Sequence, residues 1–118
     1  MMNDGSTPRF LQGVFDFRGK GFADPITLDD ALRYVVPPGA TVQPVYFRGG
    51  NSTDEMITVG LYRDGALMRY FPIAAKGSLH VSLRVVEELL GDTVLELRLL
   101  APLDAAGTVV IDLGMIEI

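Results

Sequence analysis

The chain contains no cysteine, no tryptophan and a single histidine. The lack of cysteine excludes disulfides, thiolate metal sites and cysteine nucleophiles. Cations are also sparse: ten Lys and Arg, scattered along the chain, face fifteen Asp and Glu, for a formal charge of −5 and a pI near 4.6. Nucleic acid is therefore not an expected partner, because phosphate binding needs clustered Lys and Arg. No apolar run reaches the length of a membrane span. Met1 to Pro8 is polar and has no apolar signal-peptide core. A cytoplasmic, membrane-free protein is expected, with an extracellular location left open.

What remains is enough for one folded domain. The 118 residues are 48% hydrophobic and 21% charged, which argues against disorder and supports a core that needs no metal or disulfide. The expected layout is a flexible tail over 1–8 and a single domain over 9–118.

Periodicity then divides the domain into strands. In Arg9–Arg18, Leu11, Phe15 and Phe17 share one parity and Gln12, Asp16 and Arg18 the other, as in a half-buried strand. Two readings compete over Asp24–Val36. Thr27 and Asp30 resemble a capping box before the helically spaced Leu28, Leu32 and Val35, while Leu32–Val36 also reads as a strand. A short helical turn running into extended Tyr34-Val35-Val36 satisfies both, since Val36 precedes a proline.

Pro38–Gly65 reads as a hairpin on which the rest is organised. Pairing Phe47 with Ile57 and Val45 with Val59 puts four apolar side chains on an inner face. That register places Tyr46 opposite Thr58 and Val42 opposite Tyr62 on the outer face. It also sets Pro44 against Gly60, which predicts a bulge or an edge there. Gly49–Glu55 is a polar connecting loop, and Arg63-Asp64-Gly65 is a turn of Asp-Gly type.

Further strands are expected at Leu67–Ile73, at Ser78–Val85 with Leu79, Val81, Leu83 and Val85 inward, at Thr93–Ala101 with Leu95, Leu97 and Leu99 inward, and at Thr108–Ile118. Val86–Leu90 loses the period and reads as one helical turn capped by Gly91. Gly114 lies where the last strand's apolar parity switches, as a bulge requires. The fold class expected is all-β: an antiparallel β-sandwich of seven to eight strands, jelly-roll or immunoglobulin-like, with at most one or two helical turns.

Three segments carry a resemblance. Val36-Pro37-Pro38-Gly39-Ala40-Thr41-Val42 leads into Tyr46-Phe47-Arg48. Leu95-Glu96-Leu97-Arg98 follows, and then Gly107-Thr108-Val109-Val110-Ile111-Asp112. In this order they resemble the jelly-roll carbohydrate-binding modules, galactose-binding-like β-sandwiches, over about residues 36–118. The resemblance implies a sandwich fold and a sugar ligand. The chain departs from it in lacking the tryptophan that usually precedes the middle strands, and sugar stacking is work for Trp or Tyr.

No catalytic, metal or cofactor signature is found. His80 lies on an outward strand face between Ser78 and Ser82, but no nucleophile elbow or oxyanion loop accompanies it. Asp29-Asp30 and Glu87-Glu88 are adjacent pairs whose side chains diverge. Asn51, Asp54 and Glu55 offer oxygens for calcium, without EF-hand spacing. Asp112 interrupts an apolar strand and is expected to pair with a base. Gly19-Lys20-Gly21 and Gly49-Gly50-Asn51 are turn chemistry rather than phosphate cradles.

The ligand-binding candidates are Tyr46, Arg48 and Tyr62 on the hairpin's outer face, with Asn51 and Asp54 in the adjacent loop; Tyr and Arg are enriched in recognition patches. The expected function is a non-enzymatic binding or assembly module for a carbohydrate or protein partner. Homo-oligomerisation is expected because Val94, Leu100, Val110 and Ile116 or Ile118 exceed what one sandwich buries. The alternatives are a structural oligomer of the phage or appendage-subunit kind, and a small hydrolase using His80.

Overall fold

A computed structural model describes residues 5–83 and 88–118. Among these residues nine strands occur: β1 (Thr7–Arg18), β2 (Arg33–Val35), β3 (Thr41–Asn51), β4 (Ile57–Arg63), β5 (Ala66–Ile73), β6 (Ser78–Ser82), β7 (Leu89–Leu90), β8 (Val94–Leu100) and β9 (Ala106–Glu117). They form two antiparallel sheets. The front sheet has the order β1-β9-β3-β6, with β7 also on β3, and the back sheet has the order β2-β8-β4-β5. Apart from the β4–β5 hairpin and the β6–β7 pair, chain neighbours fall into different sheets, and the two orders are those of a jelly roll, not of an immunoglobulin domain.

The alternation read from sequence holds in most strands. Leu11 and Phe17 of β1, Leu95, Leu97 and Leu99 of β8, and Val109, Ile111 and Leu113 of β9 are buried. Leu79 and Leu83 pack against the same core from the edge strand β6. Over 24–36 the mixed reading is the one realised. A single 3-10 turn at Asp30–Leu32 passes directly into β2. Its cap is Asp29, whose side chain accepts from the N–H of Ala31 at 2.8 Å. Thr27, expected as the cap, instead donates to Glu96 at 3.4 Å. Asp64 and Gly65 have φ of 49° and 84°, and so close the β4–β5 hairpin in two residues.

The hairpin expected over Pro38–Gly65 does not form. β3 and β4 belong to opposite sheets, and Gly49–Glu55 includes the crossing between them. Phe47 lies opposite Leu113 and Val81 within its sheet, and Ile57 lies opposite Ile73. Strands that face each other across a sandwich share the inward alternation of strands paired side by side, so a period of two cannot separate the cases. Across the interior, Phe47 stacks on Phe71 of β5 with ring centroids 4.2 Å apart and planes 3° from parallel.

Two further assignments on β3 are reversed. Val42, placed outside, is fully buried, and Val45, placed inside, is 36% exposed. The cause is a bulge between Pro44 and Tyr46 against β9. The extra residue switches the inward set from Val42 and Pro44 to Phe47, Gly49 and Asn51. The bulge expected at Pro44 is therefore present, but its partner is Met115 rather than Gly60. β9 itself has none at Gly114. Its pairing with β1 runs unbroken from Thr7↔Glu117 to Arg18↔Ala106, and Met115 continues the inward set.

β1 begins at Thr7, two residues before the start read from sequence, with Thr7 and Pro8 opposite Glu117 and Ile116. Val85 and the start of the turn expected at Val86–Leu90 lie outside the described residues. Leu89 and Leu90 are a short strand against Val42 and Thr41, and the left-handed residue that follows is Asp92 (φ 70°), not Gly91. At this end a polar clamp joins the sheets: Tyr34 of β2 donates to Glu117 of β9, and Arg9 of β1 reaches Glu117 at 3.3 Å. These hydrogen bonds hold the Glu117 carboxyl below the usual carboxylate range, Tyr34 being the larger influence.

Candidate functional site

The outer surface of the front sheet is ordered in rows by strand register. Gln12 of β1, Asp112 of β9, Arg48 of β3 and His80 of β6 lie directly across from one another. Phe10, Gly114, Tyr46 and Ser82 form the next row on one side, and Val14, Val110, Gly50 and Ser78 the next on the other. At a strand spacing of about 4.8 Å, each row runs roughly 15 Å across the sheet. The polar row therefore lies between two rows that mix apolar side chains with glycines.

The centre of this surface is a three-residue network. Arg48 donates from Nη2 and Nε to Oδ2 of Asp112 at 2.7 and 3.2 Å. The Tyr46 hydroxyl donates to the same carboxylate, 3.0 Å from Oδ1 and 3.1 Å from Oδ2. The Arg48 guanidinium carbon lies 5.2 Å from the Tyr46 ring centroid, and His80 meets that ring edge-on at 6.4 Å. Burial, and then the hydrogen bond to Asp112, push the Tyr46 phenol above its ordinary value. The bond to Asp112 raises the Arg48 guanidinium above its ordinary value. The Arg48 side chain is 59% exposed and that of Asp112 18%, which makes this an ion pair presented to solvent.

The Tyr46 ring occupies this position because Gly114 has no side chain. A Cβ built on Gly114 would lie 2.0 Å from Cε2 of the ring. The β3 bulge and the glycine opposite it thus seat one aromatic ring flat against β9. Beside the polar row a groove of about 500 Å³ opens over Gly50, between Val110 on one side and Ser78 and His80 on the other, with Arg48 and Asp112 at its end. That volume is in the ordinary range of ligand sites.

The five binding candidates separate. Tyr46 and Arg48 stand together, as expected. Tyr62 lies on the back sheet, 6% exposed, under the Arg98 guanidinium at 4.6 Å from its ring centroid, with Arg98 held by Glu96 at 2.8 Å. Its outward parity was read correctly, but the outside it faces is that of the other sheet. Asn51 is buried and engaged. Its amide nitrogen donates to the carbonyls of Glu55 at 2.8 Å and Ala74 at 3.1 Å, and its oxygen accepts from the N–H and hydroxyl of Thr53 at 2.9 and 2.8 Å. Asn51 therefore fixes the crossing loop. Asp54 is exposed and pairs with Lys76 at 3.4 Å. His80 lies at the groove, but the hydrogen bonds to Asp112 come from Tyr46 and Arg48, so that acid does not orient the imidazole.

Gln12, Gly50, Val110 and Gly114 were not singled out as site residues in sequence. Their signal exists only as register: Gly114 stands opposite Tyr46, Gln12 opposite Asp112 and Val110 opposite Gly50, which precedes Asn51 on β3. The back sheet carries another hollow of about 360 Å³, lined by Phe22, Met56, Thr58, Tyr70, Pro72 and Leu100.

No family model matches the sequence, and none of the curated proteins does. Solved structures share the fold. The CBM36-1 domain of a multidomain xylanase from the hindgut metagenome of Trinervitermes trinervoides aligns over 89% of this chain and 95% of its own, with a TM-score of 0.54 and 16% identity. The chain shares the jelly-roll β-sandwich fold of that domain. The structure of infectious bursal disease virus Gt strain aligns over 97% of this chain and 33% of the viral chain, with a TM-score of 0.53 and 11% identity. A family 35 carbohydrate binding module from Clostridium thermocellum aligns over 92% and 97% of the two chains at a TM-score of 0.48 and 13% identity. The two alignments with TM-scores above 0.5 show shared architecture alone at these identities, and function has to be argued from the site.

Proposed function

We propose that this protein is a non-enzymatic binding module that takes a carbohydrate on the outer face of the front sheet. The observation that carries the reading is the Tyr46–Asp112–Arg48 network beside the Gly50 groove. A sugar ring has apolar C–H faces and a rim of hydroxyls, each both donor and acceptor. The network offers a guanidinium donor and a carboxylate acceptor next to each other, and the row beside it contributes Val110 and an open floor. Arg48 and Asp112 are preorganised by each other, which lowers the ordering cost of binding. The jelly-roll architecture shared with the CBM36-1 domain supports the same reading at the level of fold.

The test is binding of the whole chain to a glycan array, followed by titration of hits against Arg48→Ala and Asp112→Asn. Each variant is expected to weaken binding by roughly tenfold or more, the usual consequence of leaving its partner unpaired. An array without a single bound glycan refutes the proposal.

A second reading, assembly with further copies of the chain, is favoured by a separate observation. Phe10, Val14, Val110 and Ile118 of β1, β9 and the residue just past β9 are 51%, 66%, 46% and 60% exposed. Of the residues counted in sequence as surplus, Leu100 is buried at 6%, whereas Val110 and Ile118 are exposed. Light scattering at tens of micromolar separates the readings: a monomer leaves the ligand reading alone, and a stable oligomer blocked by Val14→Glu supports assembly.

A further inference from the structure

Resting on the carbohydrate reading above, we infer that the ligand is an uncharged glycan, and that Gly50 is the residue that admits it. The guanidinium and the carboxylate at the groove, Arg48 and Asp112, are bonded to each other at 2.7 Å. The rest of its wall is supplied by Gly49, Gly50, Val110, Ser78, Leu79 and His80. A carboxylated or sulfated ligand would either draw Arg48 away from Asp112, leaving that carboxylate the Tyr46 hydroxyl alone, or bind at the guanidinium beside the carboxylate and be repelled by it. The chain's net charge of −5 opposes polyanions at long range as well.

A neutral polyol has no such conflict. Arg48 directs Nε and Nη2 at Asp112, which leaves Nη1 a donor without a partner among the described residues. Asp112 Oδ1 receives the Tyr46 hydroxyl and retains acceptor capacity. One hydroxyl can accept from Nη1 while its neighbour donates to the carboxylate, with the ion pair intact. Neighbouring hydroxyls on one ring meet this demand, and single isolated polar groups do not.

Shape points to Gly50. A Cβ built there meets only Val110, at 3.6 Å from Cβ and 3.8 Å from Cγ2, which is ordinary contact. The position therefore has room for a side chain, and that room is the groove. Its neighbours across the strands, Val110 and Ser78, form the two banks. Gly50 is thus a specificity-determining position whose enlargement blocks the ligand without loading the core.

The experiment uses the whole chain and an array of neutral, uronate-bearing and sulfated oligosaccharides at low and high salt, with Gly50→Val and Gly50→Ala alongside. The expected result is binding to neutral members, little changed by salt, and a roughly tenfold or greater loss in Gly50→Val with a smaller loss in Gly50→Ala. Circular dichroism confirms the fold of each variant. Should Gly50→Val not fold, Gly50→Ala alone decides, since its Cβ fits without displacement. Salt-sensitive binding to acidic glycans only would overturn this inference and leave the carbohydrate reading standing. So would neutral binding that neither Gly50 variant weakens. Failure to bind any glycan would overturn both.

Discussion

Substituting Gly114 by Ala asks directly whether the Tyr46 ring is seated by a missing side chain. The new Cβ would lie 2.0 Å from Cε2, 2.5 Å from Cζ and 2.7 Å from Cδ2 of the ring. The backbone there is paired on both sides, to Phe10 and to Tyr46, so the ring has to move rather than the strand. Displacing it breaks the hydrogen bond from the Tyr46 hydroxyl to Asp112. A bond to a charged partner contributes about 1.5–3 kcal/mol, and a partly exposed one belongs at or below the low end. In the other direction, Ala gains about 0.5–1 kcal/mol over Gly within a strand. The net expectation is a loss of about 1 kcal/mol. In a Tyr46→Ala background the clash and the hydrogen bond are both gone, and the same substitution should stabilise by about 0.5 kcal/mol. The double-mutant cycle therefore carries a coupling of about 1–2 kcal/mol, measurable as urea midpoints at unchanged m. An equal effect of Gly114→Ala in both backgrounds would refute the contact.

The remaining predictions concern the core, the crossing loop and the clamp. Phe47→Ala removes a fully buried ring stacked on Phe71 and should cost about 3–5 kcal/mol in urea unfolding. Asn51→Asp keeps the size of the side chain but replaces the donors to the Glu55 and Ala74 carbonyls with acceptors. It should lower stability by about 2–3 kcal/mol and speed proteolysis within 52–56, whereas a ligand-only role for Asn51 would leave both unchanged. Glu117 has its folded pKa below its unfolded value of about 4.3, so its contribution is complete above that pH and is lost as pH falls through the folded pKa. Tyr34→Phe removes the main cause and should cost about 1 kcal/mol at neutral pH, with a smaller further loss on acidification than wild type; parallel acid profiles would count against it.

Strand positions, inward residues and the two-residue Asp64-Gly65 turn were legible because each depends on local chemistry. Alternation in β8 marks Leu95, Leu97 and Leu99 as core wherever the strand is placed, and Asp-Gly accepts left-handed φ in any context. Half of the binding surface was legible for the same reason, since Tyr46 and Arg48 follow the parity of Phe47. Tyr62 did not join them because parity says which side of a sheet a residue faces, not which sheet it belongs to.

By itself, then, the sequence determined an all-β domain, its principal core residues, the bulge near Pro44 and the outward display of Tyr46, Arg48 and His80. Only the tertiary structure decided that β3 and β4 lie in opposite sheets, that Asp112 is the partner of Arg48, and that Gly114 and Gly50 are a seat and an opening. The physical reason is that pairing in a jelly roll is almost wholly non-local. Arg48 meets Asp112 across 64 positions of chain, through a register set by every strand between them. Local preference selects a face, and the closed network of strand pairs selects the neighbour.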